Sequence, residues 1–242
     1  MTHSSQRRGL ETTDRCKELC IIGMIPKSQF NRRGIKSAMR RLARTMLDHQ
    51  PNNFIFRDFT EITIPNLGAA QNLLEWLHKR RPELSNRIIL WILAHTRSGL
   101  SGVYTDLDAA KALITELAGD WRSRNQQKGY PVSIVLSGLP EDVRACCQAA
   151  GLTEHTFLHS LDVFGSVEEL PPEEELALIT MCGHGLIAAG RVRHLAERIR
   201  KGKLTPEAAA EEIWKPCVCG IVNRERAAEI FSRLASQPEP EA

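Results

Sequence analysis

Apolar residues recur along this chain with two different periods, and the alternation between them outlines most of its elements. Ile35, Met39, Leu42 and Met46 fall on one face of a helix, the spacing of a half-buried amphipathic segment. Residues 53–58 read as a short strand, and Asn66 caps a helix that turns Leu67, Ala70, Leu73, Leu74 and Leu77 inward. Residues 87–94 are almost wholly apolar, as a central parallel strand buried on both faces would be. Thr105 and Asp106 open a helix whose buried stripe is Leu107, Ala110, Leu113, Ile114 and Leu117. A strand at 131–136, a helix at 140–150 ended by Gly151, and a strand at 155–163 follow. Strand and helix in regular alternation predict an α/β domain with a mostly parallel sheet, open or closed into a partial barrel.

The pattern changes near residues 165–174, where Glu168, Glu169 and Pro171-Pro172 interrupt it and mark a boundary between units. Beyond it every period is helical. Ala188, Val192, Leu195 and Ile199 form one seam, Thr205-Pro206 opens a second helix that runs to Trp214, and Asn223 caps a third with Ala227, Ile230, Phe231 and Leu234 on one side. The layout predicted is a polar, disordered start at 1–13, an α/β domain with a basic N-terminal helix at 14–165, a small α-helical, cysteine-containing metal-binding unit at 172–236, and a disordered tail at 237–242.

Composition changes this picture little. With 242 residues and 42% hydrophobic content, the chain is long enough for one sizeable core and a smaller second one. The polar Met1-Thr2-His3-Ser4-Ser5 start carries no secretory pattern, and the longest apolar run, 88–94, is far too short to span a bilayer. Seven cysteines, an odd number, then indicate thiols kept reduced in the cytoplasm, with no membrane role. A net charge of +3 makes no strong demand for a polyanion. Basic residues do gather locally: Arg33, Lys36, Arg40 and Arg44 line the polar face of the first helix. Such a stripe is commonly just a solvated face, but it also suits an acidic protein partner or a small anionic molecule. No aromatic residue is interleaved to stack bases, which argues against nucleic acid. Phosphate-loop, dinucleotide, nucleophile-elbow and zincin motifs are all absent from the sequence.

The candidate chemistry lies in the last third. Met181-Cys182-Gly183-His184-Gly185 and Pro216-Cys217-Val218-Cys219-Gly220 each place two soft or borderline metal ligands on a short loop next to a predicted helix. Cys16 and Cys20, on one face if their segment is helical, are further candidates to complete the set. Three thiolates with a fourth ligand from His184, Cys16 or Cys20 fit an iron-sulfur cluster held mainly by Cys182, Cys217 and Cys219. Zinc is the alternative, although both ligand pairs are spaced more tightly than structural zinc sites usually are. Thiol redox chemistry and plain core packing also remain open, Cys-x-Cys fitting a redox disulfide poorly.

The strand ends of a parallel sheet would gather a second set: Asp58, Thr60 and Glu61; His95, Thr96 and Arg97; Ser137; and His159, Ser160 and Asp162. Of these, His95 is the candidate acid-base group and Arg97 the candidate anchor for an anionic substrate. The expectation is therefore an iron-sulfur protein, an oxidoreductase or lyase, in which a cluster serves redox or Lewis-acid chemistry on a small anionic molecule. The alternative is a binding module that zinc staples together without catalysis.

Overall fold

A computed structural model of the chain describes residues 7, 18–25, 28, 31, 33–54, 73, 76–77, 79–81, 83–85, 87–88, 91–92, 99–128, 133–154, 164–217 and 220–237. Among the described residues, four strands form a sheet: β1 (Leu19–Met24), β2 (Asn53–Phe54), β3 (Gly99–Tyr104) and β4 (Ser133–Ser137), in the spatial order β2-β3-β1-β4. Every neighbouring pair is antiparallel. Ile21 stands opposite Gly102 on one side and Leu136 on the other, and Phe54 opposite Gly102.

The mostly parallel sheet expected from the strand-helix alternation is thus corrected to an antiparallel one. The alternation itself is present, since β1 leads through α1 (Ile35–Asp48) to β2, and β3 through α2 (Leu107–Lys128) to β4. Each unit, however, leaves a gap between its two strands that a strand of the other unit fills. β3 lies between β1 and β2, and β1 between β3 and β4. This is the split β-α-β arrangement of ferredoxin-like topology, in which strands of one unit run parallel yet every ladder is antiparallel.

Two of the four strands were not foreseen. These are Leu19–Met24, where a helix is one option for the segment of Cys16 and Cys20, and Gly99–Tyr104, for which no element is predicted. Gly102 in fact sits under an aromatic ring: a Cβ there would lie 3.1 Å from Tyr104 Cε2 and 3.3 Å from Met46 Cε. In the reverse direction, residues 87, 88, 91 and 92 are helical, where a central strand is predicted. A short continuous apolar run has no period with which to distinguish the two. The strand expected at 155–163 lies outside the described residues.

Side chains alternate across the sheet, and both faces are covered. Leu19, Ile21, Leu100, Tyr104 and Phe54 pack with Ile35, Met39, Leu42 and Met46 of α1, Leu113 and Ile114 of α2, and Cys146 of α3 (Pro140–Ala149). The basic stripe of α1 faces away from this core, with Arg40 and Arg44 exposed. The Tyr104 hydroxyl donates a 2.7 Å hydrogen bond to the Met46 carbonyl in this layer. Tyr104→Phe should therefore lower stability by about 1 kcal/mol, readable as a shifted urea midpoint at unchanged m.

Cys20, Ile22 and Val103 point to the opposite face, where α4 (Glu173–Ile179), α5 (Ala189–Arg200), α6 (Pro206–Trp214) and α7 (Arg224–Ser236) close over them. The local signals foreseen for these helices hold. Thr205 Oγ1 accepts from Ala208 N, with Pro206 at the first helical position, and Asn223 Oδ1 accepts from Arg226 N. The C-terminal helices therefore share one core with the sheet through Leu178, Leu195, Ile213 and Phe231, all essentially inaccessible to solvent. No helix among the described residues is long and apolar enough to cross a membrane.

Candidate metal centre

Two loops of the same construction meet beneath the sheet. Leaving α4, the chain turns at Cys182, whose carbonyl accepts from Gly185 N at 2.9 Å, with Gly185 at φ 68°. After α6 it turns again at Cys217, whose carbonyl accepts from Gly220 N at 3.2 Å, with Gly220 also at φ 68°. Each is a Cys-x-x-Gly turn, and the left-handed conformation at its fourth position is one that glycine adopts without steric cost. His184 and Cys219 occupy the matching third positions. The sequence carried this repeat, in Cys182-Gly-His-Gly and Cys217-Val-Cys-Gly, but spacing alone did not show that both turns close alike.

The two cysteines at the head of these turns touch. Cys182 and Cys217 are both buried and share a side-chain hydrogen bond. That bond is the first cause raising the Cys182 thiol above its ordinary range, followed by burial and the proximity of Cys217; the backbone N–H groups of Leu186 and His184, directed at the Cys182 sulfur, act against the rise. Amides converging on a sulfur are what a thiolate needs when it leaves water. A proton shared between two buried sulfurs is also what a thiophilic cation displaces on binding.

A third thiol arrives from the sheet. Cys20 lies on the side of β1 that faces the helices, is fully inaccessible to solvent, and belongs to the same buried cluster as Cys182 and Cys217. Burial pushes its thiol up to about 12; Arg7 pulls it down, while Glu18 and Cys217 add to the rise. The strand geometry that overturned the helical reading of this segment is what delivers Cys20 to the C-terminal turns.

Around this corner runs a buried ionic network that sequence inspection missed. Glu18 Oε1 receives Arg7 Nη2 at 2.5 Å and Arg226 Nη1 at 2.7 Å, while Glu18 Oε2 receives Asn223 Nδ2 at 3.0 Å. Arg7 Nη2 also donates to the Ile221 carbonyl at 3.1 Å, just past the second turn. The side chains of Arg7, Glu18 and Arg226 are 2%, 1% and 1% exposed, so this is an interior network. Nothing local in the sequence marks it, because its members come from the two ends of the chain. Farther out, Arg224 stacks over Trp214 and donates to Asn53 Oδ1 at 3.2 Å, and Asn52 donates to Glu225, tying α7 to β2.

Of the sequence candidates, Cys182, Cys217 and Cys20 are brought into one buried cluster. His184 is exposed on its turn. Cys16 and Cys219 lie outside the described residues, and so do His95 and Arg97 together with Asp58, Thr60, Glu61, His159, Ser160 and Asp162. Among the described residues, no three His, Cys, Asp or Glu side chains are grouped so as to hold an ion. Comparison with family models, with curated proteins and with solved structures gave no match to this chain.

Proposed function

We propose that this is a metal protein whose centre is held by thiolates from the two Cys-x-x-Gly turns, with an iron-sulfur cluster as its resident group. The observation that carries this reading is the pair of like-built turns that bring Cys182 and Cys217 together in the buried core, with amide N–H groups aimed at one of them. Cys219 is the proposed third thiolate, and His184, Cys16 or Cys20 the proposed fourth ligand. A mainly thiolate set with amide donors to sulfur suits a cluster, which supplies an electron or a Lewis-acidic iron. The reaction proposed is redox or Lewis-acid chemistry on a small anionic molecule in the cytoplasm, with His95 and Arg97 as its proposed acid-base and anchoring groups. Zinc is a second reading, favoured by one feature: the centre lies where the sheet meets the helical unit, the place for a structural staple.

Anaerobic purification followed by an absorption spectrum and analysis for iron, sulfide and zinc decides between these readings. The expected result is broad absorbance near roughly 400 nm with iron and sulfide in similar amounts. One zinc per chain without colour selects the staple. A chain that binds neither after reconstitution ends both readings.

A further inference from the structure

We propose that Cys182 and Cys217 form a redox pair in the metal-free protein, closing under oxidation by a peroxide to a disulfide that fastens the two Cys-x-x-Gly turns to each other. The Cys-x-Cys spacing within the second loop fits such a bond poorly, but here the partner comes from the other loop. The two side chains are hydrogen-bonded to each other, belong to one buried cluster and carry free thiols. Each cysteine heads a turn closed on its own carbonyl, by Gly185 N and by Gly220 N, so the backbone holds both in place. Sulfurs already in hydrogen-bonding contact need only a short approach to reach the roughly 2.05 Å of a disulfide.

The surroundings favour the reaction as well as the pairing. Residues 184–186, which complete the first turn, are exposed, so solvent reaches the turn that carries Cys182. The amide N–H groups of His184 and Leu186 are directed at the Cys182 sulfur and stabilise negative charge there. The chemistry balances with a single peroxide. The Cys182 thiolate attacks a peroxide oxygen and the O–O bond breaks; the sulfur becomes a sulfenic acid, and the hydroxide released leaves as water with the thiol proton. The Cys217 sulfur then displaces the sulfenic oxygen, the S–S bond forms, and that oxygen leaves as a second water with the Cys217 proton. Two electrons have passed from the sulfur pair to the peroxide. The new bond closes a loop that contains α5 and α6, which restricts the unfolded chain and stabilises the folded one. It also ties up two sulfurs of the centre proposed above, so disulfide and metal exclude each other, although the pairing itself needs no ion.

The test uses the full wild-type chain, stripped of metal by a chelator under argon and treated with stoichiometric hydrogen peroxide. Remaining thiols are blocked, and the digested chain is mapped by mass spectrometry. The expected result is a cross-link from Cys182 to Cys217, assigned to Cys217 rather than Cys219 by fragment ions and removed by dithiothreitol. The urea midpoint of the oxidised chain should rise and return on reduction. Oxidation in concentrated urea should scatter bonds over the seven cysteines, and a pair chosen equally often in the native and the unfolded chain overturns the inference. So does native oxidation that gives sulfinic acids without a cross-link, or a bond from Cys217 to Cys219 in place of the expected one. The metal reading is judged separately. A reduced chain that binds metal but yields no Cys182 to Cys217 bond ends this inference alone, and a cross-link in a chain that takes up neither iron nor zinc ends the metal reading alone.

Discussion

Glu18→Gln is expected to reduce the unfolding free energy by about 3–5 kcal/mol, the cost of leaving buried charge uncompensated. Glu18 is the acceptor on which Arg7, Arg226 and Asn223 all converge, at 2.5, 2.7 and 3.0 Å. An amide in its place keeps the shape and one acceptor oxygen. It removes the negative charge and turns an NH2 group toward donors that cannot receive it. Because the three charged side chains are essentially inaccessible, solvent screens little of the loss. The same network joins the polar start of the chain, the edge of β1 and the beginning of α7, so its failure loosens the helical unit from the sheet. Urea denaturation measures the effect, and a midpoint within the error of wild type would show that the network is hydrated and contributes little. Replacing all three by apolar residues, Arg7→Met, Glu18→Leu and Arg226→Met, should cost less than Glu18→Gln alone, since no charge is then left buried.

If the proposed cluster is present, Cys217→Ser should abolish it, lowering bound iron and sulfide to a small fraction of the wild-type amount. It removes the thiolate at the head of the second turn and the partner of Cys182 at once. In the metal-free protein the exchange of thiol for hydroxyl at a buried site costs on the order of 1 kcal/mol. In the loaded protein the difference should be several kcal/mol larger, because metal that binds only the folded chain adds its binding free energy to stability. Thermal unfolding of loaded and metal-free samples separates the two contributions. Cys146→Ala provides the control, as Cys146 is buried against α1 and α2 on the opposite face of the sheet and should leave the metal content untouched. Full metal content in Cys217→Ser, or equal loss in both variants, would remove the Cys-x-x-Gly turns from the site.

The elements that could be read directly from the chain are those whose signal is local. The amphipathic stripes of α1, α2, α5 and α7, the Thr205-Pro206 start of α6 and the Asn223 cap each depend on residues within a turn or two of one another. For that reason helices and their caps emerged with nearly their observed bounds. The change of composition near Pro171-Pro172 likewise marked the approach to α4. The two cysteine loops were equally visible, since ligand type and glycine position are matters of spacing.

Strand partnership is settled at long range, and there the alternation misled. An order of strand, helix and strand is the same for a parallel sheet and for two interleaved β-α-β units. Only the hydrogen-bonded neighbours of β1, which are β3 on one side and β4 on the other, distinguish them. Residues 87–94 show the complementary failure: a run without period is compatible with a helix or a strand, and the environment selects.

The helices, their caps and the two cysteine-bearing loops are encoded by neighbours along the chain, and so are legible from it. The antiparallel pairing of the sheet, the place of Cys20 on the strand face that packs against the helices, and the sharing of Glu18 by Arg7 and Arg226 are not. Strand pairing and buried charge are set by free energies of contact between segments far apart in sequence, and no local pattern carries them.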